Sequence, residues 1–229
     1  MTVSDPIFLI EARDLTYQYN TGELAQLVLK NASIDVKAGE FVILVGPSGS
    51  GKSTLLSLIG ALRRCQGGEL KILGDLINFA DDKKMRDIRK NMGYVFQQHN
   101  LLKFLTAAQN VEMTLEMFPE YSGDQRRKMA SDILGVVGLQ NHLNYYPSQL
   151  SVGQKQRVAI ARSLVHHPKL IMADEPTASL DSKTGIHVVE ILHSMVKNMG
   201  CGALVVTHDH RIFEYADRIL HIEDGVVSS

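Results

Sequence analysis

Gly46-Pro47-Ser48-Gly49-Ser50-Gly51-Lys52-Ser53 fits G-x-x-x-x-G-K-[ST] at every required position. Glycines at this spacing let a backbone wrap closely around phosphate oxygens, with loop N–H groups and a helix start aimed at negative charge. Lys52 is suited to neutralise the β and γ phosphates, the Ser53 hydroxyl to ligate Mg²⁺, and Thr54 follows on the same helix start. The chemistry is binding of a nucleoside triphosphate. The reaction stays open, because small-molecule kinases of similar length use the same loop.

A second group lies downstream. Leu170-Ile171-Met172-Ala173 is an apolar run that ends in Asp174 and Glu175. Successive strand residues point to opposite sides, so the two carboxylates are expected to take different jobs. Asp174 suits Mg²⁺ beside Ser53, and Glu175 suits the orientation and deprotonation of an attacking water. His208, in Val205-Val206-Thr207-His208-Asp209, also follows an apolar run, and of the nine histidines it alone is so placed. Between these, Leu150-Ser151-Val152-Gly153-Gln154 opens a strongly helical stretch in which Ser151 is a natural N-cap.

The elements that must position these residues can be read from periodicity. Strands are expected at Ile7–Ala12, Phe41–Val45, Leu70–Leu73, Gly93–Phe96, Leu170–Ala173, Ala203–Val206 and Ile219–Ile222. Helices are expected at Lys52–Leu62, Ala107–Met117, Asp124–Val137, Ser151–His166, Ser182–Lys197 and Asp209–Tyr215. Several strands are apolar throughout, as in a parallel sheet covered on both faces. Strand signals stop between 98 and 165, so that stretch is expected to form a helical subdomain inserted into a sheet-containing body made of 1–97 and 166–229. The fold class is α/β with a largely parallel sheet.

Composition excludes several other classes. The chain of 229 residues carries 24 Lys+Arg against 25 Asp+Glu, a net charge of −1, which argues against a general nucleic-acid binder. Its longest apolar runs, such as Phe41–Val45, fall far short of the roughly 18 to 20 residues of a membrane span. Met1-Thr2-Val3-Ser4-Asp5-Pro6 has neither a basic start nor an apolar stretch, so no secretory signal is expected. Cys65 and Cys201 stand apart without a CxxC partner, as expected of a reducing compartment.

The motifs, in their order from Tyr19 to His208, resemble those of the nucleotide-binding subunits of ATP-binding cassette (ABC) transporters. The resemblance implies a P-loop NTPase fold with an antiparallel N-terminal part, and ATP and Mg²⁺ as ligands. Tyr19, followed by Asn20-Thr21-Gly22, is similar to the family's adenine-stacking aromatic residue. Gln97 is similar to the glutamine that touches Mg²⁺ and reports nucleotide state to the membrane partner, with Gln98 an adjacent candidate. Leu150–Gln154 resembles the signature loop, whose serine and glycine, here Ser151 and Gly153 ahead of Gln154, clasp the γ-phosphate held by a second subunit. A head-to-tail dimer is implied. Ala178-Ser179-Leu180-Asp181 resembles the loop that links the two ATP sites, and His208 the switch histidine at the γ-phosphate. Val152 stands where the family has a glycine, and a β-branched residue there requires ordinary backbone angles.

At finer grain, Phe96-Gln97-Gln98-His99-Asn100-Leu101-Leu102, Tyr145-Tyr146-Pro147 and 173–185 look like the cassettes of lipoprotein-releasing and macrolide-export systems. They look most like the ATPase of the cyanobacterial heterocyst glycolipid exporter. This resemblance implies a separate permease, a periplasmic adaptor, an outer-membrane duct and a hydrophobic or lipid-like cargo, with the subunit peripheral on the cytoplasmic side of the inner membrane. The apolar segment 99–107 suits docking of the permease. Two other readings stay open from sequence. A nucleoside monophosphate kinase would need the phosphate loop but not Glu175, His208 or Leu150–Gln154. A non-transport cassette ATPase commonly carries two cassettes or a long coiled coil, and 229 residues contain neither.

Overall fold

The computed structural model describes residues 7–20 and 22–228. Met1–Pro6, where no leader is expected, and Thr21 lie outside the described residues.

Two sheets form the body. The first pairs β1 (Phe8–Tyr19), β2 (Gln26–Lys37), β4 (Gly67–Ile72) and β5 (Asp75–Leu76) antiparallel, in the order β2-β1-β4-β5. The second has the order β10-β9-β3-β8-β7-β6, built from β3 (Phe41–Val45), β6 (Met92–Val95), β7 (Leu170–Asp174), β8 (Gly202–Val206), β9 (Arg218–Glu223) and β10 (Val226–Ser228). All its pairs are parallel except the β9–β10 hairpin. Every residue of β3 and β8 is buried, which is why these strands read as unbroken apolar runs.

The side-chain period of two divides those runs between two cores. Val42, Leu44, Met172, Leu204 and Val206 pack toward the antiparallel sheet and α1 (Lys52–Ile59). Phe41, Ile43, Ile171, Ala203 and Val205 pack toward the helices. Those helices are α3 (Ala107–Leu115), α4 (Gly123–Val136), α5 (Val152–Leu164) and α6 (Ser182–Met199). The first three lie between β6 and β7, the stretch expected to be helical.

Expectation and structure differ in places. α1 ends at Ile59, before Leu62, because Gly60 caps it and Ala61 turns to φ 50°. β2 has no clear sequence signal because Lys30-Asn31-Ala32-Ser33 interrupts its alternation; Asn31 and, on β1, Asp14 take φ of 55° and 52° at two successive irregularities in the pairing. α2 (Asp82–Arg89) is equally silent: only Met85 and Ile88 are buried, too few apolar positions to register as a period. Asp81 caps it by accepting from the Lys84 N–H at 2.7 Å. Residues His210–Tyr215, expected as an α-helix, form a 3₁₀ turn.

Asn110 on α3 is fully buried and ties down the loop that precedes the helix. Its Oδ1 accepts from the Leu102 N–H at 2.8 Å, and its Nδ2 donates to the carbonyls of Leu102, Leu105 and Thr106 at 2.9–3.1 Å. Phe104, in the middle of that loop, is left 74% exposed. Among the described residues, no helix is long and apolar enough to cross a membrane.

Candidate functional site

The glycine-rich loop runs from the end of β3 into α1. Gly49 and Gly51 take φ of 81° and 105°, conformations that a side chain resists, and Gly51 forms the N-terminal cap of α1 without a side-chain cap bond. The first N–H groups of α1 therefore have no carbonyl partner within the helix and face the loop. Lys52 folds back over this loop, its Nζ donating to the carbonyls of Gly46 at 2.8 Å and Pro47 at 2.7 Å. The loop is backed by the β9–β10 turn: the Gly225 N–H donates to Ser50 O at 3.1 Å, and a side chain at Gly46 would run into Ile222 O. The same turn is held by β2, whose Lys30 N–H donates to Gly225 O at 2.9 Å.

Around the loop opens a cavity of about 720 Å³. Gly46, Pro47, Ser48, Gly49, Gly51, Lys52, Ser53 and Thr54 line one side of it, and Gln97, Asp174, Glu175 and His208 the other. Tyr19 lies at its edge. Ser50 turns its side chain inward, where it is 4% exposed. Gln97 lines the cavity and Gln98 does not.

The carboxylates differ from the expected arrangement. Alternation along a strand predicts opposite directions for Asp174 and Glu175, yet both line the cavity. The strand ends at Asp174, and Glu175 turns into the left-handed region at φ 49°, anchored by its N–H to Val206 O at 2.8 Å. A carboxylate only accepts, so His208 donates from Nδ1 to Glu175 Oε1 at 2.8 Å. The Glu175 side chain is 12% exposed and that of His208 is 73% exposed, so the imidazole covers the acid from the solvent side. Burial pushes the Asp174 carboxyl above the usual range, and a hydrogen bond from Ser53 works against that shift. Burial, followed by the charge of Asp174, also raises the phenol of neighbouring Tyr94.

Tyr19 is held at three points. Its hydroxyl and Thr54 Oγ1 are 3.2 Å apart, Tyr17 meets its ring edge-on at 5.2 Å, and the Arg63 guanidinium sits 5.0 Å from its centre. Gln26 and Val28 of β2 also line the cavity, and sequence reasoning misses them along with their strand. No spacing pattern points to Arg63.

Ser151, Gly153, Gln154 and Asp181 lie outside this cavity. Ser151 caps α5 in a reciprocal pair with Gln154: the Gln154 N–H donates to Ser151 Oγ at 3.2 Å, and the Ser151 N–H to Gln154 Oε1 at 2.8 Å. The Gln154 amide also donates to His142 Nε2 at 3.0 Å. Val152 begins the helix with a negative φ, as expected of a β-branched residue. Gly153 packs so closely on α6 that a side chain would meet Thr184 Cγ2. Asp181 caps α6, accepting from the Thr184 N–H at 3.1 Å.

This arrangement has a definite chemical capability. A cradle of free backbone N–H groups and one ammonium can hold a polyphosphate, beside a carboxylate that an imidazole orients for taking a proton from water. Among the described residues no cluster of three or more His, Cys, Asp or Glu side chains is set to hold a metal ion.

A family model described as "ABC transporter" matches residues 29–178. The chain is 43% identical over 223 residues to an uncharacterised ABC transporter ATP-binding protein of Methanocaldococcus jannaschii, MJ0796, covering 96% of this chain and 95% of that protein. It is 40% identical over 220 residues to the macrolide export ATP-binding/permease protein MacB of Escherichia coli K12, covering 96% of this chain and 34% of that protein. A dimeric structure of MJ0796 in a post-hydrolysis state bound to ADP and Pi superposes with a TM-score of 0.88 at 42% identity, covering 96% of this chain and 97% of that one.

Proposed function

The chain belongs to the ABC transporter family, as an ABC ATPase, and from that premise we propose that it binds and hydrolyses ATP to power export through a separate membrane permease. The observation that carries the hydrolytic part is the Glu175–His208 pair facing the phosphate loop across one cavity. Glu175 takes the proton from the attacking water, and His208 holds the carboxylate at the right angle for it. Lys52 lets go of the Gly46 and Pro47 carbonyls when phosphate oxygens offer it a stronger partner. Tyr19, already braced by Arg63 and Tyr17, offers the adenine a ring to stack on.

Ser53, Asp174 and Gln97 suit Mg²⁺: a hydroxyl, a carboxylate and an amide, all oxygen donors lining the same cavity, form the donor set of a hard cation. When bound, the ion supplies positive charge to the phosphate oxygens. The raised Asp174 carboxyl fits this role, because a cation would satisfy a negative charge that burial disfavours.

The functional unit is a head-to-tail dimer. Ser151, Gly153, Gln154 and Asp181 have no part in their own subunit's cavity and serve the nucleotide held by a second copy. Support comes from the dimeric form of MJ0796. MacB, which joins an ATP-binding and a permease part in one chain, supports a permease partner. The loop that Asn110 fixes, with Phe104 exposed upon it, receives that permease. The cargo is hydrophobic or lipid-like, the assembly includes a periplasmic adaptor and an outer-membrane duct, and the heterocyst glycolipid exporter is a system of the same kind. The subunit works from the cytoplasmic face of the inner membrane.

The test is ATP turnover by purified protein and by Glu175→Gln. The variant is expected to lose turnover while retaining ATP and accumulating as a dimer on gel filtration. Normal hydrolysis by Glu175→Gln would remove Glu175 from the role of base.

A further inference from the structure

The residues just after His208 are bonded to the start of α6, where Asp181 lies. Asp209, with its side chain 12% exposed, accepts four hydrogen bonds. Its Oδ1 takes the Arg211 N–H at 3.1 Å and Arg211 Nε at 2.7 Å. Its Oδ2 takes an Arg211 terminal nitrogen at 2.7 Å and Thr177 Oγ1 at 2.9 Å. This is the two-pronged guanidinium–carboxylate geometry, which fixes orientation as well as distance. The remaining terminal nitrogen of Arg211 donates to Ser182 Oγ. Ser182 is the first residue of α6, directly after its cap Asp181, and Thr184 just beyond it is the side chain that Gly153 packs against. Thr177 lies two residues beyond Glu175 and is 2% exposed.

We propose that Arg211 is a positioning residue for ATP hydrolysis, clamping the His208 segment to the start of α6 so that the subunit's own site and Asp181 move as one body. The proposal rests on the reading of Glu175 and His208 as the hydrolytic pair and of Asp181 as part of the partner copy's site. Arg211 does not line the nucleotide cavity, so it acts on turnover rather than on ATP affinity. A lysine cannot reproduce it, because one ammonium has no fork to hold Asp209 while also reaching Ser182.

The experiment measures kcat, KM and the Hill coefficient for ATP in the full chain and in Arg211→Ala, Arg211→Lys and Ser182→Ala, with thermal melting of each. Loss of the clamp is expected to lower kcat about ten-fold, with KM nearly that of the parent and the Hill coefficient falling toward one. Arg211→Lys should recover only a small part. Ser182→Ala removes a single hydroxyl and leaves the Asp209–Arg211 pair intact, so it decides the matter if Arg211→Ala fails to fold. Unchanged kcat and Hill coefficient in Ser182→Ala, or a loss that follows a lowered melting temperature, would overturn the clamp. Glu175→Gln in the same assay separates the two claims: if it turns over normally, the hydrolytic reading falls and the clamp with it, whereas an inactive Glu175→Gln beside a fully active Ser182→Ala removes the clamp alone.

Discussion

His208 and Glu175 stand 33 residues apart in sequence and are joined by a 2.8 Å hydrogen bond from imidazole to carboxylate. Each is fixed independently by the sheet, since Glu175 is anchored through its N–H to Val206 O and His208 follows closely on the end of β8. Removing the imidazole therefore leaves the acid in place, aimed only by the longer 3.4 Å bond from the His208 backbone N–H to its Oε2. His208→Ala is expected to lower kcat on the order of 10²-fold with little change in KM. His208→Gln, whose amide can donate to the same oxygen, should recover part of that loss in a steady-state phosphate-release assay.

The Arg211 fork and its companion bonds hold the Asp209 carboxyl down at about 2. An unfolded aspartate titrates near 3.9, roughly, so the folded form is the stronger acid. A depressed carboxyl contributes stability that is present above the unfolded value and is lost as the pH falls through the folded one. Melting temperature should therefore drop between about pH 4 and about pH 2 more steeply in the parent than in Asp209→Asn, as read by thermal melts at stepped pH.

Asn110 pairs with one N–H and three carbonyls of a half-buried loop with no regular structure of its own. Asn110→Ala leaves the Leu102 N–H and the Leu105 carbonyl without this partner, while the carbonyls of Leu102 and Thr106 keep the backbone N–H groups of Leu105 and Asn110, and the change is expected to cost about 1–3 kcal/mol. Denaturant unfolding should register this as a lowered midpoint with an unchanged slope.

Phe104 is 74% exposed on that loop, so a charge there costs the isolated subunit little. Phe104→Glu is expected to retain ATP turnover and the parent's melting temperature while losing co-purification with the permease. A variant that still captures the permease would move the docking face elsewhere.

The motif-bearing parts of this site are legible in the sequence because their chemistry is local. Gly46–Ser53 needs only its own glycines and lysine, and β3, β7 and β8 declare themselves by being apolar on both faces. What stays illegible depends on backbone turns and distant partners. Strand alternation predicts that Asp174 and Glu175 diverge, and a single left-handed residue at Glu175 brings them into one cavity. β2 hides behind Lys30-Asn31-Ala32-Ser33, and with it go Gln26 and Val28 of the cavity wall. The Thr177–Asp209–Arg211–Ser182 chain joins residues whose spacing follows no period at all.

The bonds from the β9–β10 turn to the phosphate loop have a consequence in time. The glycine-rich motif is made early in synthesis, yet the groups that back it, Ile222 and Gly225, leave the ribosome only after the helical insertion, β7 and β8 have been made. A nascent subunit thus carries the motif through all of that translation without the wall that shapes it. The capacity to grip nucleotide arrives late, so a chain stopped short of Ile222 would not compete with finished subunits for ATP.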